Sequence, residues 1–115
     1  MKPPKGEGPK KEIIQRLSFN EEQVVAYEKL IAGHQELVKA KEQEIRTAKN
    51  NLMASLKKPG NNSALEQVAK LHREMEEIHY QHFLDIRALC NEDQIPAFDS
   101  LVDDLAKMFA PKGMK

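Results

Sequence analysis

Residues 20–31 read NEEQVVAYEKLI and residues 91–102 read NEDQIPAFDSLV, one phrase written twice. Each copy opens on an asparagine suited to cap a helix N-terminus, carries acidic residues where the helix dipole is positive, and sets a glutamine three residues after the cap. Asn20 with Gln23 and Asn91 with Gln94 are therefore expected to form capping boxes. Apolar residues follow at helical spacing in both copies. Fixing two helix starts in this way leaves few arrangements for the chain between them.

From Asn20 onward, Val24, Tyr27, Leu30, Ile31, Leu37, Val38, Ile45, Ala48, Leu52 and Leu56 recur every three or four residues and draw one apolar stripe. The run Lys57-Lys58-Pro59-Gly60-Asn61-Asn62 breaks it. Ser63 and Glu66 supply a third capping box, Ser-x-x-Glu, and open a second stripe through Leu65, Val68, Leu71, His72, Met75, Ile78, His79, His82, Ile86 and Leu89. Two long helices joined by so short a turn must lie antiparallel, since each covers the strip the other exposes. The final helix starts at Asn91 and turns Ile95, Phe98, Leu101, Val102, Leu105, Met108 and Phe109 inward, with Pro96 bending its first turns. Before the first long helix, KEIIQRL makes a short one with Ile13, Ile14 and Leu17 inward, and Phe19 is placed to staple onto Val24. The expectation is an all-α chain of four helices, short-long-long-medium, over residues 11–109. Residues 1–10 form a flexible linker rich in Pro and Gly, and 110–115 a flexible tail.

The chain has 115 residues, 40% of them hydrophobic, which fits one domain with a lean core. Eighteen basic and eighteen acidic residues cancel, and they mix on the polar faces, so no basic track offers itself to nucleic acid. No apolar run is long enough to cross a bilayer, and MKPPKGEGPKK lacks the apolar segment of a secretory signal. Cys90 is the single cysteine and reads as a small packed residue compatible with either redox compartment. Enzymatic signatures are missing too. There is no Gly-rich phosphate loop, nucleophile elbow, HExxH or CxxC, and the adjacent carboxylates at 76–77, 92–93 and 103–104 diverge around their helices.

Histidines carry the remaining chemistry. Folding the chain about residues 59–61 brings position 34 near position 85, so His34 can meet His82 with Asp85 one turn beyond. His34, His82 and Asp85 are the candidate ligand set, with His79 as a further member. Two imidazoles and a carboxylate suit zinc, copper, nickel or cobalt, and Met75 or Met108 would add a soft donor for cuprous copper. The competing reading gives each histidine an apolar face for the core edge and a nitrogen for water. His72 lies two turns from His79, about 10 Å along the axis, and cannot join them. Met53, Met75 and Met108 read first as packing residues.

FNEEQ at 19–23 and CNEDQ at 90–94 resemble the paired LTxxQ motifs of the Spy/CpxP family of periplasmic stress proteins and the related heavy-metal resistance and sensor domains. Asn20 and Asn91 stand where the family has its capping threonine, and Phe19 and Cys90 where it has leucine. The resemblance covers residues 11–109. It implies a hooked helical hairpin, dimeric, in the periplasm or as the soluble part of a protein anchored in the inner membrane, with the Pro/Gly-rich start as a stalk. It also implies a metal or envelope-stress sensor or a resistance accessory, partnered by a membrane-associated regulatory protein. The alternatives are an ATP-independent chaperone for unfolded clients and a plain dimerisation scaffold. The sensor branch takes ligands from a His-x-x-x-His and a His-x-x-x-Met pair. Here the corresponding terminal positions are Asp104 and Met108, so the His34 set stands apart from the family pattern.

Overall fold

The computed structural model describes residues 8–108 of the 115. They are helical: α1 (Gly8–Leu17), α2 (Glu21–Ser55), α3 (Ser63–Leu89) and α4 (Ile95–Met108), with a tight 3-10 turn at Glu92–Gln94 leading into α4. The order of lengths is the expected one. What was expected of residues 1–7, of Phe109 and of the tail lies outside the described residues, as does the side chain of Met108. None of the described helices is long and apolar enough to cross a membrane. The chain divides into two compact units, one holding residues up to Glu28 and from Ile86 on, the other Lys29–Asp85.

In the first unit, α1 begins at Gly8, inside the stretch expected to be linker. Pro9 is then the second residue of the helix, where its fixed φ suits the turn and its missing N–H is one no helix would use. The other end of α1 closes on Ser18 in a left-handed conformation, φ 55°. The Ser18 N–H donates to the Gln15 carbonyl and the Phe19 N–H to that of Ile14, both at 3.2 Å. This is a Schellman ending, with serine at the position glycine favours. Leu17 and Ile86 are wholly buried and Tyr27, Phe98 and Leu101 nearly so. Phe19 sets its ring edge-on to Tyr27 at 5.6 Å, so its aromatic partner lies one turn past the expected Val24. Val102, expected inward, is 41% exposed. Arg16 of α1 reaches α4, bonding Asp104 at 2.9 Å and the Ser100 hydroxyl at 3.3 Å.

Both expected asparagine boxes form here. Asn20 Oδ1 accepts from the Gln23 N–H at 2.8 Å while Gln23 Oε1 accepts from the Asn20 N–H at 2.9 Å. Asn91 and Gln94 repeat the exchange at 3.1 and 2.9 Å. The copies differ in one residue that matters. Val25 allows an α-helix from the first turn, whereas Pro96, its counterpart, has no N–H to offer the carbonyl of Glu92. That carbonyl accepts from the Ile95 N–H instead, tightening residues 92–94 into a 3-10 turn.

In the second unit, Ile45, Ala48, Val68 and Leu71 cluster, with Leu52 and Met75 against them. Lys41 of α2 bonds Glu74 of α3 at 2.8 Å and Glu44 at 3.0 Å. The hydrogen bonds hold the Lys41 ammonium above and the Glu74 carboxyl below their ordinary ranges. The break comes where expected, with Gly60 at φ 116°. α3 starts differently from the sequence expectation, because Ser63 and Glu66 exchange no capping bonds among the described residues. The Ser63 N–H instead donates to Asn61 Oδ1 at 2.8 Å, and the Asn62 carbonyl accepts from the Glu66 N–H at 2.9 Å. Two asparagines just upstream compete successfully for the cap, since an Asx turn closes over a shorter loop than a serine box. The stripes are also narrower than their periodicity. Leu37, Leu56 and Leu65 are more than half exposed, as is Met53, and His72 faces out. One facing helix covers only part of the apolar arc that a helical pattern marks out.

Candidate functional site

The second unit brings three histidines together and leaves the fourth apart. His34 Nε2 lies 3.1 Å from His79 Nδ1, and the two rings cross at 61° with centroids 5.1 Å apart. His82 stacks on the other side of His34, centroids 3.9 Å apart and planes within 8°. Phe83 tilts against His82 at 5.6 Å. His34 therefore meets His82 within about a turn of the level expected from folding at residues 59–61, and His79 nearly two turns from it.

This contact separates the members of the expected ligand set. A ring nitrogen's lone pair lies in the ring plane, so the parallel rings of His34 and His82 cannot converge on one ion. Asp85 Oδ1 accepts from Gln81 Nε2 at 2.9 Å. Among the described residues no three His, Cys, Asp or Glu side chains are arranged to hold a metal. His79, placed last in the sequence reading, is the one that makes the direct nitrogen-to-nitrogen approach. Its signal was spacing: positions 79 and 82 flank the level of residue 34 on one α3 face. Asp104, where the sensor pattern has histidine, is engaged with Arg16.

Burial sets the charge of this cluster. It lowers the pKa of His34, with the neighbouring His79 adding to the effect. It takes His82 down to about 4, the charge of His34 adding to the shift and Asp85 opposing it. Both rings are consequently neutral at pH 7, which leaves lone pairs available for a ligand.

Beside the stack runs an open groove of ≈ 930 Å³. Leu30, Gly33, Leu37 and Ile78 give it an apolar floor into which His34 and His82 face. Its α2 rim carries Lys29 and Lys41, its α3 rim Glu74, Glu77 and Asp85. Leu37 remains 57% exposed. A smaller recess of ≈ 380 Å³ opens on the His34–His79 side, lined also by Glu36, Val38, Lys39 and Glu42.

The first unit holds a polar centre that sequence reading missed. The side-chain amides of Gln23 and Gln94 pair reciprocally: Gln23 Nε2 donates to Gln94 Oε1 at 2.8 Å and Gln94 Nε2 to Gln23 Oε1 at 3.0 Å. Each also donates to the chain before the other's cap, Gln23 to the Leu89 carbonyl at 2.8 Å, Gln94 to those of Leu17 and Ser18 at 2.9 and 3.1 Å. Ser18 and Leu89 hold equivalent positions in the two copies, so the repeated phrase closes on itself with local two-fold regularity. Cys90 is half-buried beside it, its thiol donating to the Ile86 carbonyl at 3.6 Å and held above its usual pKa by burial. The lock is structural, since every amide valence is used within it. The chain matches no family model, no curated protein and no solved structure.

Proposed function

We propose that this chain is a non-enzymatic extracytoplasmic domain of metal or envelope-stress response, a sensor or resistance accessory that passes its state to a partner protein. The architecture behind this reading is a four-helix hooked antiparallel hairpin acting as a homodimer. Its place is the periplasm, as the soluble part of a protein anchored in the inner membrane, and its partner is a membrane-associated regulatory protein. The observation that carries the reading is the groove of the second unit. An apolar lining bordered by Lys29 of α2 and by Glu77 and Asp85 of α3 fits an amphipathic helix, which lays its apolar side in and pairs its charges with these residues. Ligands at the histidines that line it would bias the groove by their differential affinity for its states. A chaperone remains the second reading, favoured by Leu37, which stays exposed in that groove.

The test places a photo-crosslinking residue at position 37, 81 or 56 of the full protein in its native envelope. Positions 37 and 81, which line the groove, should trap one defined species whose yield changes under metal or envelope stress, while position 56, outside its lining, traps none. A broad distribution of trapped proteins would select the chaperone. Equal trapping at all three positions would remove the groove from the account.

A further inference from the structure

We infer that His34 and His79 form a two-imidazole site for a divalent transition metal, copper(II) above the others. This inference rests on the metal-responsive part of the function proposed above and replaces the His34, His82 and Asp85 set with a different pair.

The argument begins with the distance. Two imidazole nitrogens bound to one ion at about 2.0–2.1 Å and lying 3.1 Å apart subtend about 95–102° at the metal. That angle falls between the right angle of a tetragonal ion and the wider one of a tetrahedron. It suits copper(II) and nickel(II), and copper(II) stands highest in the intrinsic order of affinity for nitrogen ligands. The 61° crossing of the rings lets both in-plane lone pairs turn toward a common point, which the parallel stack of His34 with His82 forbids.

The surroundings agree. His34 and His79 both line the ≈ 380 Å³ recess, which has room for the waters that complete a coordination sphere, and Glu36 and Glu42 outnumber Lys39 along its walls. The His34–His79 hydrogen bond uses one proton between two nitrogens. To bind an ion, that proton must leave the shared position for the other nitrogen of its own ring. Each ring then presents a lone pair to the ion. His82 stacks face-on against the His34 ring, so that ring can turn only within its own plane without breaking the stack. One ligand comes from α2 and the other from α3, so an ion tightens the middle of the second unit. At a free concentration 100 times Kd the folding constant rises about a hundredfold.

The experiment titrates the intact, chelator-stripped chain with copper(II) chloride at pH 7, by calorimetry and by electron paramagnetic resonance. One ion per chain should bind, with hyperfine structure from two nitrogens. His34→Gln and His79→Gln should each weaken binding at least tenfold, whereas His72→Gln should leave it unchanged. No saturation below about 1 mM, a spectrum without two nitrogen ligands, or tight binding that survives both substitutions would overturn the inference. The wild-type spectrum decides even where a variant fails to fold. A Leu37→Asp chain separates the two readings: lost trapping with intact copper binding counts against the groove alone, and lost copper binding with intact trapping against this site alone.

Discussion

The two units spend polar side chains in opposite ways. In the first, which also buries Leu17, Ile86, Tyr27 and Phe98, Gln23 and Gln94 place every amide donor and acceptor in a closed set of bonds. In the second, which holds the cluster of Ile45, Ala48, Val68 and Leu71, His34 meets His79 and His82 beside an open groove. A saturated network rigidifies, because any alternative arrangement strands a buried amide. The histidine cluster keeps ring nitrogens beside an open groove, and burial lowers the pKa of His34 and His82. On the proposed function, the first unit supplies stability and the second the response.

The largest test of this contrast is truncation of the two cores. Leu17→Ala should cost about 3–4 kcal/mol in urea unfolding, since the side chain is wholly buried. Leu71→Ala, in the thinner cluster at 4% exposure, should cost about 2 kcal/mol. Reversal of that order would transfer the stable core to the second unit.

Next is Gln94→Glu. The carboxylate would face the Leu17 and Ser18 carbonyls and Gln23 Oε1, all acceptors, with no proton to offer. A loss of about 2–3 kcal/mol is expected at pH 7, with part regained near pH 4 as the carboxyl takes up a proton. A loss that does not vary with pH would mean the amide acts through shape alone.

The pH limits of the two units should also differ. Burial pushes Tyr27 up to about 12, so the folded state resists its ionisation. Its stabilising share is complete below pH 10 and lost as pH rises from 10 to 12. His82 runs the other way. With a folded pKa of about 4 against 6.5 unfolded, the unfolded chain takes up the proton first, and stability falls as pH drops from 6.5 toward 4. For this half-buried ring the loss is on the order of 1 kcal/mol after solvent screening. Hydrogen exchange in chelated buffer should show residues 29–85 opening first in acid, and the amides around Tyr27 first in alkali. Simultaneous opening of both regions in acid would erase the distinction.

The smallest effects are stabilising. Ser18→Gly relieves a left-handed serine and should add about 1 kcal/mol to the first unit. Gly33→Ala meets nothing within 4 Å and should add about 0.5–1 kcal/mol to the second, read as a higher melting temperature. If Gly33 marks close approach of a partner, the same variant should reduce trapping at position 37.

Much of this was legible in the residues because helix starts are local. Asn20 and Asn91 announce their caps through side chains that bond three residues away, and Pro59-Gly60 announces the break. Other features were misread for reasons that can be named. Ser63 lost its cap to Asn61 and Asn62, Pro96 turned the second start into a 3-10 turn, and Pro9 let α1 begin inside the expected linker. Periodicity also overcounted the core, since Leu37 and Leu65 follow the helical rhythm without a neighbour to cover them. Of the expected ligands, proximity of His34 to His82 was foreseeable from the fold point, but ring orientation was not.

By itself, then, the sequence determined the all-helical class, the order of element lengths and the two asparagine-capped starts, because each depends on bonds spanning only a few residues. Only the tertiary structure decided that Gln23 and Gln94 clasp each other across 71 residues, and that His34 meets His79 nitrogen to nitrogen while lying flat on His82. These contacts turn on tenths of an ångström and on the direction of a lone pair, which helical periodicity does not encode.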